Sequence, residues 1–169
     1  EFGGSKRQGP QKRLENTQLA EFGVGDMAQW LQNRRGTVAE GEGLSDFFTR
    51  DHKECDLGWT AVEAAVDAGD FGQAASAWQF FSERLQHHLR LEEEVMFVAF
   101  EEATGMYSGP TAVMRAEHTQ MIGLVGQMQE ARDDDDYQEL VDLGDTLMMM
   151  MAQHNHKEEG ILYMMADQT

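Results

Sequence analysis

The 169-residue chain has one cysteine, two prolines and few basic residues, and each scarcity excludes something. Cys55 alone cannot form an internal disulfide, which suits a reducing cytoplasm. The prolines stand at 10 and 110, leaving long uninterrupted stretches rich in Ala, Leu, Met, Glu and Gln, all good helix formers. No apolar run approaches the roughly 18 residues that a membrane span needs. No hydrophobic stretch follows the N-terminal charges either, so neither a membrane helix nor a signal peptide is expected. Lys and Arg number 13 against 31 Asp and Glu, a formal charge of −18. Residues 1–36 carry a net +2, so the remainder carries −20 and would repel nucleic acid and anionic membrane alike. The basic start, "SKRQGPQKR", reads as a solvated tail.

What is present is helical periodicity. Residues 1–43 divide into a polar, glycine-containing tail, a stretch over 17–35 whose apolar positions suggest a short helix, and the linker "GTVAEGEG". Four long helical segments follow: from about 44 to 68, from Asp70 as N-cap to about 104, from Pro110 in a first turn to about 131, and from about 137 to 166. Short connectors make successive helices antiparallel. The expected fold is all-α, an up-down-up-down antiparallel four-helix bundle over 44–169 with a short N-terminal extension. No internal repeat is evident in the apolar pattern, although one polar pattern recurs.

That pattern is "HHLRLEEEVMF" at 87–97 and "HNHKEEGILY" at 154–163, in a chain with six histidines. His88 precedes Glu92, and His154 precedes Glu158, by four residues, so each pair points the same way about one turn apart. His52 lies on the first helix and His118 on the third. Every helix thus contributes an imidazole, and each lies on an apolar stripe. His52 aligns with Phe48, Cys55 and Trp59; His88 with Phe81, Leu85 and Val95. His118 aligns with Val113, Met114, Met121, Ile122 and Val125; His154 with Leu147, Met150, Met151, Ile161 and Leu162.

Burying two carboxylates without partners is costly, and no Lys or Arg shares these stripes. Bound cations would neutralise them and use the neutral imidazoles. His52, His88, Glu92, His118, His154 and Glu158 together form a nitrogen and oxygen donor set suited to iron, manganese or zinc. Ferritin-type bundles instead use Glu-x-x-His, and none of the six histidines has a glutamate three residues before it.

The order His, His-x3-Glu, His, His-x3-Glu on four successive helices resembles the haemerythrin-like (HHE cation-binding) domain family, over residues 44–166. The resemblance implies two iron ions with an oxo or hydroxo bridge. His52 and His88 would bind one iron, His118 and His154 the other, and Glu92 and Glu158 would bridge. Oxygen-carrying members have a second histidine one turn after the third-helix ligand, where this chain has Ile122. Their fourth-helix aspartate five residues after its histidine is replaced by Glu158, four after. The site therefore looks more like those of bacterial members, which implies a small gaseous or peroxide ligand (O2, NO or H2O2) bound or sensed. An alternative is a di-iron enzyme: peroxide or NO turnover, or iron delivery for repair of damaged iron-sulfur centres. A third is a bundle that the metal merely stabilises. A sensor would act through a partner protein, and self-association is open.

Other candidates rank below these six. His87 and His156 point away from the ligand stripe. Asp51 and Glu117 are expected in solvent and Glu93 and Glu159 outward, although ligating imidazoles need an acceptor for their second N–H. Cys55 and the run "MMMM" at 148–151 read as packing. Tyr107 and Tyr163 are weak candidates for a hydrogen bond near the site.

Overall fold

The structure, a computed structural model, describes residues 43–169, which form four antiparallel helical rods. The N-terminal extension expected over 1–43, with its short helix at 17–35, lies outside the described residues apart from Gly43. Helix α1 is Leu44–Asp67. Helix α2 comprises Phe71–Leu91, a π-helical turn Glu92–Met96 and a final stretch Phe97–Thr104. Helix α3 is Pro110–Asp133, with Pro110 in its first turn. Helix α4 comprises Tyr137–Lys157, a second π-turn Glu158–Leu162 and Tyr163–Ala166. Helix α1 lies along α2 and α3 along α4, while α1–α4 and α2–α3 contacts close the bundle. The all-α four-helix architecture expected from the sequence is the one observed.

The caps explain where the rods begin and end. Asp70 and Asp136 each accept a hydrogen bond from the backbone N–H three residues on, at 3.0 Å, and so satisfy an otherwise orphaned donor. The residue before each cap sits in the left-handed region, Gly69 at φ 69° and Asp135 at φ 56°. This closes the preceding helix through bonds from Asp70 N–H to Ala65 C=O and from Asp136 N–H to Ala131 C=O. Glycine adopts that conformation freely, and aspartate tolerates it better than most residues.

An internal repeat absent from the apolar pattern is evident in the backbone. Helix α3 begins and ends 66 residues after α1, Tyr137–Lys157 begins and ends 66 residues after Phe71–Leu91, and so does the second π-turn after the first. The two caps and the two left-handed residues keep the same spacing. Core volumes do not recur, which is why the apolar pattern conceals the repeat: Trp59 matches Val125, and Trp78 matches Gly144.

Two apolar clusters fill the interior. The larger includes Trp59, Trp78, Phe81, Leu85, Leu89, Met121, Met128, Leu147 and Met151. The smaller includes Phe48, Met96, Phe97, Phe100, Met114, Leu162 and Tyr163. Along every rod the inward histidine falls between a residue of one cluster and a residue of the other. The π-turns correct the expected stripes. Each adds a residue to its turn, so the faces beyond Glu92 and Glu158 move by one position. Met96, Phe97, Leu162 and Tyr163 are buried, whereas Val95 and Ile161 are exposed. Val113 and Ile122 are exposed as well, at the margins of their stripe. Within "MMMM" only Met151 is buried; Met149 faces solvent.

Close approach of α1 to α4 depends on Gly144, since a β-carbon there would fall inside the Trp59 indole. Gly144→Ala is therefore expected to destabilise the fold by about 1–3 kcal/mol through overpacking. Gly123→Ala, on an open face of α3 with nothing near the added methyl, should stabilise by up to about 1 kcal/mol through helix propensity. Thermal unfolding of the two variants beside the parent checks both signs.

Candidate metal centre

Each rod delivers one imidazole to the layer between the apolar clusters, His52, His88, His118 and His154 being 2% exposed in each case. Glu92 and Glu158 open the two π-turns and are fully buried. The six side chains singled out in the sequence meet at one place. A donor atom from each of His52, His88, Glu92 and Glu158 lies within 4.8 Å of the others, and so do donor atoms of Glu92, His118, His154 and Glu158. The glutamates belong to both groups and the histidines divide two and two. His87 and His156 are exposed and belong to neither.

Four more carboxylates orient the imidazoles. His88 Nδ1 donates to Asp51 at 2.9 Å, His118 Nδ1 to Glu93 at 2.9 Å, His154 Nδ1 to Glu117 at 2.9 Å and His52 Nδ1 to Glu159 at 2.8 Å. These contacts correct the sequence reading. Asp51 is buried, Glu117 is partly buried, and Glu93 and Glu159 reach solvent yet still hold a ring. Each of the four is the chain neighbour of one of the six donors, and each serves a histidine on another rod. The bonds run α1 to α2, α2 to α3, α3 to α4 and α4 back to α1, a closed ring. The signal was in the sequence as an acidic residue beside each donor, but adjacency along a helix points about 100° away, and only the packing shows which neighbour it meets. Arg84 pairs with Asp51 and Glu54, and Lys157 with Glu117.

An ionised carboxylate only accepts, so each Nδ1 carries the proton and each Nε2 turns a lone pair inward. In the neutral rings the Nε2 atoms of His118 and His154, 3.0 Å apart, face each other with lone pairs that repel without something positive between them. His88 Nε2, Glu92 Oε2 and Glu158 Oε1 are buried and have no hydrogen-bond partner. These three atoms belong to the donor set. Six carboxylates surround the layer, namely the two inner glutamates and the four orienting groups, against the charges of Arg84 and Lys157. The two inner glutamates are shut off from solvent, and Arg84 and Lys157 pair with Asp51, Glu54 and Glu117 instead of with them. The donor chemistry, the orphaned atoms and the charge therefore all fit a pair of bound metal ions.

Among the protein groups alone, burial disfavours a proton on His52, but Glu158 and Glu159 outweigh it and raise its pKa above the usual 6.5. His154 is raised in the same way, burial being outweighed by Glu158 and Glu117. Burial prevails at His88 and lowers it despite Glu92. Burial also opposes ionisation of Glu158, yet the His154 and His52 rings beside it, when protonated, hold its carboxyl well below the usual range.

Two further side chains border the site. The Tyr163 hydroxyl, a weak candidate in the sequence, bonds to Glu92 Oε1, lies 2.9 Å from Glu158 Oε2 and 3.1 Å from His52 Nε2. Sequence reasoning underrated it because an uninterrupted α-helix turns residue 163 away from the layer. Cys55 is buried in the larger cluster, and burial, with Asp56 and Glu54 nearby, pushes its thiol far up, so it packs without reacting.

A family model described as the hemerythrin HHE cation binding domain matches residues 43–166, which span all four rods. Comparison with curated proteins and with solved structures gave no match.

Because His52 and His154 hold protons to higher pH than a free imidazole, protons compete with cations already above pH 6.5 and more strongly below it. Loaded protein dialysed at pH 6 should lose more metal than protein dialysed at pH 8, as measured by elemental analysis. Glu117→Ala should weaken metal binding by about 10- to 100-fold by freeing the His154 ring. Glu94→Ala, on the exposed face, should leave affinity unchanged, and competition with a chromogenic chelator reads both.

Proposed function

This chain belongs to the haemerythrin HHE cation-binding domain family, and on that premise we propose that it is a non-haem di-iron protein that binds or senses O2, NO or peroxide. In this reading His52 and His88 would hold one iron and His118 and His154 the other, with Glu92 and Glu158 serving both. The observation that carries it is the sharing of both glutamates by two otherwise separate pairs of histidines. A carboxylate has two oxygens, and one placed between two histidine pairs can serve an ion with each. Iron so held supplies one-electron chemistry and a coordination position for a small molecule.

The residues around the ions do the rest. The ring of Nδ1 bonds fixes each imidazole, so donors need not reorganise when the ions change charge. Phe48, Met96, Phe97 and Leu162 on one side, and Leu85, Leu89, Met121 and Met151 on the other, keep bulk water away. The hydroxyl of Tyr163 donates to Glu92 and stands against Glu158 on the His52 side. No described helix is long and apolar enough to cross a membrane, and the acidic surface repels nucleic acid, so the ligand of this reading is a small molecule. A cytoplasmic location and signalling through a partner protein or a second copy belong to the same proposal.

Metal analysis and an optical spectrum of aerobically purified protein are the test. Two irons per chain with oxo-to-iron charge-transfer absorption are expected. Glu92→Ala and Glu158→Ala should each lower the metal content by at least one ion per chain, whereas His87→Ala should not. Equal loss in all three variants would overturn the ligand assignment. Many turnovers with peroxide or NO and an added reductant would move the reading from binding to catalysis.

A further inference from the structure

The 66-residue spacing relates the two halves of the site as well as the helices. His52 matches His118, His88 matches His154, Glu92 matches Glu158, Asp51 matches Glu117 and Glu93 matches Glu159. Such a site offers two equivalent metal positions unless a side chain breaks the equivalence. One does so at the residue that closes each π-turn, where Phe97 matches Tyr163. Both rings are fully buried and stack on matching imidazoles. Phe97 lies on His118 with centroids 5.5 Å apart and planes at 22°; Tyr163 lies on His52 at 5.7 Å and 28°. The two differ by a single oxygen.

That oxygen stands among the inner atoms of one half, within hydrogen-bond distance of His52 Nε2, Glu92 Oε1 and Glu158 Oε2. At the matching place in the other half Phe97 presents only ring carbon and hydrogen. A second observation points the same way. A groove of about 300 Å³ opens on the surface against His118, bordered by Leu89, Arg90, Glu93, Thr119 and Ile122. Ile122 supplies no donor atom there and is exposed.

Resting on the di-iron reading, we propose that the Tyr163 hydroxyl closes the His52–His88 metal position, and that a small exogenous ligand takes the His118–His154 position through the groove between α2 and α3. A ligand entering the first position must displace the hydroxyl from Glu92 and from its place against Glu158 and His52. A ligand entering the second meets an apolar ring face and displaces no hydrogen bond. Tyr163 is thus a positioning residue that makes two similar ions unlike.

Azide titration of the iron-loaded protein, followed calorimetrically and by its charge-transfer band, is the test. One azide per chain is expected in the unaltered protein. Tyr163→Phe should raise this to two, with the iron content unchanged. Phe97→Tyr should weaken azide binding tenfold or more, and Tyr163→Phe, which removes one atom, keeps the test decisive if the bulkier variant fails to fold. Two azides in the unaltered protein, or one with unchanged affinity in Tyr163→Phe, would overturn the proposal. Iron analysis on the same samples separates it from its premise: fewer than two ions in the unaltered protein overturns the di-iron site itself, whereas two ions with azide at both overturns this assignment alone.

Discussion

The burial of Glu92 and Glu158 is the constraint on which the rest of the molecule depends. Neither carboxylate touches solvent, and each retains an oxygen with no hydrogen-bond partner. A carboxylate in that state is tolerated when positive charge lies against it. The side-chain cations of this region are spent elsewhere, Arg84 on Asp51 and Glu54, and Lys157 on Glu117. The imidazoles do not supply the charge in full, because burial lowers the pKa of His88, and the Nε2 atoms of His118 and His154, 3.0 Å apart, stand too close for both to carry protons. The two π-turns belong to the same constraint. A wide turn starting at each glutamate lets the carboxylate point inward, and the extra residue realigns the chain so that Met96 and Phe97, and Leu162 and Tyr163, seal the layer beneath it. Placing a polar group in the core and resuming apolar packing within one turn is easier when the turn is wider.

The ring of orienting carboxylates converts that electrostatic requirement into mechanical coupling. No rod orients its own histidine. Helix α1 holds the ring of α2, α2 that of α3, α3 that of α4, and α4 that of α1. Sliding any rod by one residue would break two of these bonds and separate a histidine from its pair. The register of the bundle is thus set by polar groups, while the apolar clusters supply most of the stability. This division explains why Met can fill so much of the core. Met114, Met121, Met128 and Met151 are flexible fillers that specify little by themselves, which suffices where the register is fixed by other contacts.

The inner shell was legible in the sequence and the outer shell was not. His88 with Glu92, and His154 with Glu158, lie one turn apart on a helix, and one turn is the distance at which sequence spacing translates directly into shared direction. Helix ends were equally legible, because Asp70, Pro110 and Asp136 act on their own neighbours. Asp51, Glu93, Glu117 and Glu159 act across helices, and no spacing along one rod says which face of the next will meet them. Val95 and Ile161 were placed inside for a related reason: a period of 3.6 was carried through a turn that does not have it. Tyr163 went the same way in reverse, a core residue with a hydroxyl in the site that a regular helix would have pointed elsewhere.

The repeat shows which features of the two halves are free to differ. Apolar partners have drifted widely, Trp59 against Val125, Trp78 against Gly144 and Ala74 against Leu140, because a core demands total volume and tolerates its redistribution. The Trp59 indole occupies the space that a side chain at Gly144 would need, which is such a redistribution between α1 and α4. The polar set has not drifted in type. Histidine matches histidine, acid matches acid and cap matches cap, because a metal donor or a hydrogen bond works within a few tenths of an ångström and a narrow angle. Against that background Phe97 and Tyr163 form a pair of a third kind, alike in volume and in stacking yet unlike by one polar atom directed at the centre. Packing alone gives no reason for a hydroxyl at that depth, since phenylalanine fills the matching place. It stands against the inner carboxylates and one inner imidazole, so the reason for it lies in the chemistry of the site.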